Sequence, residues 1–341
     1  MSPKNLSAIK TLKNFQLKLY NKKIQSLFNL FEKNFQINKS FVVGVSGGPD
    51  SLALAFLTKV YSIKNNLRCK YVIVDHKLRK GSTEEANQVK KILSSHNIKA
   101  EILTWKGKKP LKNIQSLARK KRYELLISKC EKLKIFNLIV GHHLDDLFEN
   151  FFIRMIRGSG LKGLVSLQKE TKFSSINLVR PLLNFKKKDL EYISSCVFNF
   201  YVKDPSNNNT IFQRIKIRNI INEFQKNGLN KDKLFLTINN LKKADQALLF
   251  YVEQNKKLNS FFHKEKKEIL LNLNFFNQPH EIVFRSFSDF LKIIGEKYNF
   301  ARGKKVEGII YRIQKNTFKK ETLAGCIVKK VNHTVIITKE Y

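Results

Sequence analysis

The stretch FVVGVSGGPDSLALAFL, Phe41 to Leu57, limits what this chain can fold into more than any other. An apolar run enters a tight Ser-Gly-Gly-Pro-Asp-Ser turn, and a second apolar run leaves it. A strand that turns at once into a helix has this form, and such a turn suits a bound anion. The same residues contain Gly44-Val45-Ser46-Gly47-Gly48, which spells G-x-S-x-G, the spacing of a serine nucleophile elbow. The two readings lead to different chemistry.

The surroundings separate them. An elbow normally sits in mid-sheet, with a glycine-rich oxyanion loop upstream and an acid and a histidine following in order. Here only 40 residues precede the motif, and no His-Gly-Gly segment lies among them. A Walker pattern, G-x-x-x-x-G-K-S/T, occurs nowhere. What remains is a phosphate loop with different mechanics. Gly47 and Gly48 let the backbone approach an anion and take positive φ. Ser46 and Ser51 add hydroxyl donors, and a helix starting near Asp50 aims its free amides and dipole at the same place. An aspartate in an anion cradle repels its ligand unless a divalent cation lies between them, so Asp50 predicts Mg²⁺.

Around the loop the chain alternates. Strand-like runs occur at Phe41–Val45, Tyr71–Val74, Ala100–Leu103 and Leu138–Val140, with helix-period stretches near 50–63, 83–95, 113–133 and 145–157. This alternation predicts an α/β fold, a doubly wound parallel sheet covered on both faces, with ligands at the carboxyl ends of its strands. Ser82-Thr83-Glu84-Glu85 reads as a capping box for the helix over 83–95. Residues 1–40 read as a basic leader whose helix packs on the core, and 41–226 as the catalytic domain. Within the latter, "LVRPLL" reads as a short strand, followed by a helix from about Lys186, a polar "DPSNNN" turn and a basic helix from Gln213. "KNGLNKD", 226–232, reads as a linker. Residues 233–341 read as a mostly helical domain ending in a small β hairpin around Lys-Val-Asn-His.

At 341 residues the chain has room for two domains of about 150 residues. Lys and Arg number 65 against 27 Asp and Glu, a formal net charge of +38. That balance favours a polyanion, either nucleic acid or an anionic membrane. The abundance of Asn, Ile and Phe also marks an AT-rich genome, whose compositional drift raises lysine by itself. Cys69, Cys130, Cys196 and Cys326 form no C-x-x-C, so no zinc ribbon, redox pair or iron–sulfur run is visible. Their scarcity fits a reducing cytoplasm. No window of about 18 apolar residues predicts a membrane span, and the basic N-terminus lacks a secretory apolar core.

The hexapeptide Ser46-Gly47-Gly48-Pro49-Asp50-Ser51 resembles the SGGxDS loop of the PP-loop, or N-type ATP pyrophosphatase, superfamily, whose fold is the adenine nucleotide alpha hydrolase-like sheet. Further blocks narrow the resemblance: "VDHKLRKGSTEEA" (74–86), "NIQSLARKKRYELL" (113–126), "GHHLDDLFENFFIRMIRGSGLKGL" (141–164), "RPLLNFKKKDL" and "DPSNNNTIFQRIKIRN". In this order they are similar to the tRNA(Ile)-lysidine synthetases over about 41–220. The tail "TLAGC" is similar to that family's C-terminal substrate domain, and the shorter C-terminal part here departs from longer relatives. The resemblance implies an ATP-dependent ligase for the wobble cytidine of an isoleucine tRNA with a CAU anticodon. ATP adenylates the C2 oxygen, and the ε-amine of free L-lysine displaces AMP. The alternatives are a PP-loop tRNA thiolase or a non-catalytic RNA-binding relative.

The roles follow residue by residue. Ser46, Gly47, Gly48, Pro49, Asp50 and Ser51 would hold the ATP phosphates. Asp50, Asp145 and Asp146 would hold Mg²⁺. Asp145 and Glu149, four apart on one helical face, would bind the lysine ammonium. Attack needs a neutral amine, whose free pKa is about 10.4, so a nearby group must accept a proton. His142 and His143 are the candidates, then Asp146. Arg119, Arg122, Arg154, Arg157, Arg214 and Arg218, at spacings of three and four, suit phosphate or tRNA backbone. The target cytosine must leave its stack. The oligomeric state is left open, a homodimer included.

Overall fold

The computed structural model describes residues 17–78, 81–107, 114–173, 175–202, 213–263, 265–296 and 303–340. The first sixteen residues of the leader, Arg79, Lys80, Asn113 and the DPSNNN turn lie outside them, as do the side chains of Gln115 and Ser116.

Chain order in the first part is α1 (Lys22–Asn34), β1 (Phe41–Val45), α2 (Pro49–Lys64), β2 (Cys69–Asp75), α3 (Ser82–Ser95), β3 (Ala100–Thr104), α4 (Ile114–Leu133) and β4 (Asn137–Ile139). It continues through α5 (Leu144–Ile156), a single turn α6 (Leu161–Leu164), β5 (Glu170–Phe173), β6 (Ile176–Val179), α7 (Lys187–Phe198) and α8 (Gln213–Lys226). The strands form one sheet in the order β3-β2-β1-β4-β6-β5. All pairs are parallel except β5 with β6, so the expected parallel sheet carries an antiparallel edge.

β1 lies between β2 and β4, and the sheet grows outward from it in both directions. That is the topological switch point at which a crevice opens beyond the strand ends. Alternation along β1 divides the core: Val43 and Val45 face the layer of α1, α2 and α7, while Val42 faces α4 through Leu126 and Cys130. Helix α2 is apolar almost all round because it is enclosed, with Leu52, Ala53, Leu54, Ala55, Phe56 and Leu57 each fully buried. Helix α1 adds Ile24, Phe28 and Phe31 to the same core. Phe35 joins them by edge contacts with Phe41 and Tyr61, ring centroids 5.3 and 4.9 Å away.

The chain divides into two compact units, Met1–Phe235 and Leu236–Tyr341. The division falls inside the long helix α9 (Lys231–Asn259). Then follow β7 (Ser260–His263), β8 (Glu268–Asn272), α10 (His280–Gly295), α11 (Gly303–Gln314), β9 (Lys320–Leu323), β10 (Cys326–Val331) and β11 (Thr334–Lys339). The expected hairpin is present as β10 and β11, closing at Val331 opposite Thr334. It is part of a larger antiparallel sheet, β7-β8-β11-β10-β9. The segments Ser260–His263 and Lys320–Leu323 are too short to display alternation, so only their neighbours define them as strands. In this unit Arg285, 2% exposed, is buried against Asp245 at 2.6 Å and Glu281 at 2.7 Å.

Candidate active site

The glycine loop joins β1 to α2 at the switch point. Gly47 has φ +87°, and a Cβ there would meet Val89 Cγ2 at 2.5 Å, so only glycine fits. Gly48 corrects the expectation of a second positive φ: it is extended, at φ −69° and ψ 163°, and is the N-cap of α2. Ser51 organises the turn. Its hydroxyl accepts from the amides of Ser46 at 3.1 Å and Gly47 at 3.0 Å and donates to the Gly48 carbonyl at 2.9 Å. With its single proton directed to Gly48, Ser51 shapes the loop from within. Ser46 is exposed at the loop surface. Two outside contacts hold the loop: the Val202 amide donates to the Gly47 carbonyl at 3.0 Å, and the Ser194 hydroxyl of α7 donates to the Pro49 carbonyl at 2.5 Å.

Two cavities flank this loop. One, of about 560 Å³, runs along the carboxyl ends of β1, β2 and β4 beneath α4, with Val45, Val74, Ala118 and Tyr123 in its walls. The other, of about 490 Å³, lies toward α5, α7 and α8. Ser46, Asp50, Glu85 and Arg122 line both.

The segment from His142 to Glu149 follows β4 and starts α5, so its polar groups gather beside the loop. Helix α3 has Gly81 as its N-cap and, among the described residues, no side-chain cap bond, so the expected capping box at Ser82–Glu85 does not form; a reciprocal cap forms here instead. His143 Nδ1 accepts from the Asp145 amide at 3.2 Å, and Asp146 Oδ2 accepts from the His143 amide at 3.0 Å. The α3 hydroxyls are drawn elsewhere: Ser82 and Thr83 donate to the buried Asp75 carboxylate at 2.9 and 2.7 Å. A buried carboxylate gains more from those protons than an exposed helix start does. Burial alone would push Asp75 up, but the bonds from Thr83, the Lys77 amide and Ser82 hold it below the ordinary value.

His143 Nε2 stands between two acids, 3.6 Å from Asp50 Oδ2 and 3.7 Å from Asp146 Oδ2. Burial pushes the Asp50 carboxyl up, with His143 opposing and Asp146 adding to the rise. Burial acts the same way on Asp146, but the two histidine rings, the His143 amide and Arg214 prevail and hold it low. Asp145 and Glu149 do line one cavity, as their spacing predicts, and each meets a cation of the chain itself. Lys231 Nζ is 2.8 Å from Asp145 Oδ1, and Arg218 Nε donates to Glu149 Oε1 at 2.5 Å. Burial still outweighs Arg218 and keeps the Glu149 carboxyl above its usual range, and Glu149 Oε2 is buried without a hydrogen-bond partner among the described residues.

The six arginines separate. Arg119, Arg122 and Arg214 line the larger cavity, and Arg218 lines the smaller. Arg157 is exposed and donates to Gln213 at 2.6 Å, and Arg154 is half-buried. Asp75, His76 and Glu85 also line the site and Ser194 holds its loop, although the sequence reading gives none of them a place there. His76 follows the last residue of β2 and lines the larger cavity, its Nδ1 buried and without a partner among the described residues. Its position at a strand end was the available signal. Ser194 gives none, because only folding brings it 145 residues back to Pro49.

Residues 18–224 match the family model of the PP-loop domain. The chain is 34% identical over 321 residues to the tRNA(Ile)-lysidine synthase of Orientia tsutsugamushi (strain Boryong), covering 90% of this chain and 71% of the relative. It is 31% identical over 318 residues to the enzyme of the same name from Wolbachia pipientis wMel, covering 92% and 73%. The chain belongs to the tRNA(Ile)-lysidine synthase family. Among solved structures it resembles a U34-tRNA thiolase, NcsA from Methanococcus maripaludis with its 4Fe-4S cluster, at a TM-score of 0.56 and 18% identity, over 65% of this chain and 78% of that one. That likeness is one of fold. None of the four cysteines of this lysidine synthase family member lines either cavity.

Among the described residues no three acidic, histidine or cysteine side chains converge as a metal cage. Asp50 nevertheless fits an ion held mainly by phosphates: its Oδ1 is buried with no partner among the described residues, and Mg²⁺ commonly takes only one or two carboxylates. Asp145, paired with Lys231, fits less well. Among the described residues no helix is long and apolar enough to cross a membrane.

Proposed function

We propose that this protein joins lysine to C2 of the wobble cytidine in an isoleucine tRNA with a CAU anticodon. The observation that carries the reading is the meeting of the Ser46–Ser51 loop with the His142–Glu149 segment at one switch point, in a chain of this family. The loop residues and Asp50 hold ATP, and Mg²⁺ on Asp50 would screen the carboxylate from the phosphates. The cytidine C2 oxygen attacks the α-phosphorus and diphosphate leaves. The lysine ε-amine then attacks C2 and AMP leaves.

The amine must lose a proton. The lone pairs of both histidines are engaged, His142 Nε2 by Arg119 at 3.1 Å and His143 Nδ1 by the Asp145 amide. A carboxylate is the better acceptor. Glu149 suits the task, since its Oε2 accepts no hydrogen bond among the described residues and burial raises its proton affinity. Arg154, Arg157 and the lysines of 233–341 contribute salt-dependent attraction for the tRNA body. The reaction is tested with radiolabelled lysine, ATP and a CAU-anticodon isoleucine tRNA transcript. Label is expected in the tRNA; none, while a positive-control enzyme works, would overturn the reading.

A further inference from the structure

We propose that His142 is a fixed hydrogen-bond donor to a phosphate oxygen of the bound nucleotide, locked by Arg119 with its proton on Nδ1. Arg119 Nη2 lies 3.1 Å from His142 Nε2. A guanidinium has donors and no acceptor, so Nε2 must present its lone pair. In the neutral ring the proton is then on Nδ1. The charged groups around the ring favour that neutral form. Burial, then Arg119 and Arg180 and Arg122, push its pKa down to about 3 against the opposing charge of Asp146.

Nδ1 is buried and has no hydrogen-bond partner among the described residues. Buried donors are almost always satisfied, so this one calls for a partner that the described residues do not supply. His142 lines the 560 Å³ cavity, and so do Arg119, Arg122 and Arg214. Three guanidinium groups lining the same cavity as this donor select an anionic oxygen over a base edge. The glycine loop and Asp50 line the same cavity, which makes a nucleoside phosphate the ligand class. The proposal rests on the nucleotide reading of this cavity. It adds a second anchor for the phosphates beside the loop, whose Asp50 and Ser51 pack against Gly141, the residue before His142.

The full chain labelled with ¹⁵N-histidine reports the tautomer directly. The His142 signal is identified by its loss in His142→Asn. A protonated Nδ1 and a bare Nε2, unchanged from about pH 6 to about pH 9, are expected. A doubly protonated ring or a proton on Nε2 would overturn the proposal. Binding of ATP, AMP and adenosine is then titrated. Asparagine places an amide nitrogen near the Nδ1 position, and glutamine near Nε2. His142→Gln should weaken ATP and AMP about ten- to a hundredfold and leave adenosine within about threefold. His142→Asn should keep most of the phosphate affinity. Equal losses in the two variants, or a matching loss for adenosine, would overturn it. Neither measurement needs lysine or tRNA, so absence of lysine transfer would refute the proposed function and leave this outcome standing.

Discussion

Arg218→Met tests how the buried Glu149 is held. Glu149 is 3% exposed, and the variant removes the 2.5 Å bond from Arg218. A hydrogen bond to a charged group contributes roughly 1.5–3 kcal/mol. Breaking a fully buried ion pair costs roughly 3–5 kcal/mol. This pair is asymmetric, with the Arg218 side chain 38% exposed and that of Glu149 4%, so a loss of about 2–3 kcal/mol is expected. In a unit of this size each kcal/mol moves Tm by roughly 2–4 °C, so its transition should fall by about 5–10 °C. The pH dependence follows from the sign. An acid whose folded pKa is raised favours folding below its unfolded pKa, about 4.3, and loses that contribution as pH climbs to the folded value. Removing Arg218 raises the folded pKa further, so the deficit should be large near pH 8 and small near pH 5. Thermal unfolding of the full chain at both values measures it, and adding Glu149→Gln should remove most of the deficit at the higher pH. An equal deficit at both pH values, or no relief from Glu149→Gln, would refute the reasoning.

Three other outcomes are expected. Asp50→Asn should lower AMP release by at least about a hundredfold, and near-normal release would remove Asp50 from the ion and phosphates. Lys231→Met should lower the KM for lysine by about three- to tenfold, because it frees Asp145 from an internal ammonium that competes with the substrate; an unchanged KM would place Asp145 outside the lysine subsite. Arg285→Met should destabilise the second unit by about 3–5 kcal/mol by leaving Asp245 buried without its cation, and Asp245→Asn should restore part of that loss in a thermal scan.

Much of the first unit was legible because its signals are local. β1, the loop and α2 are contiguous, and the strand–helix alternation needs only nearest neighbours to imply a switch point. The antiparallel β5 and the strands β7, β8 and β9 were not legible, because short strands acquire their register from partners distant in the chain. The capping prediction at Ser82 failed for a related reason. The pattern is local, but the buried acid that captures those hydroxyls belongs to β2.

The sequence by itself determined that an anion loop exists, that Asp50 lies inside it, and that two histidines and three carboxylates share one helix start. Those facts follow from residue type and spacing. Tertiary structure decided what each group is free to do. Arg119 orients His142, the α5 cap engages His143, Lys231 reaches Asp145 and Arg218 reaches Glu149. Each of these partners determines where a proton or charge resides, and such a choice depends on burial and on atoms within a few ångströms. Spacing along the chain carries no information about either.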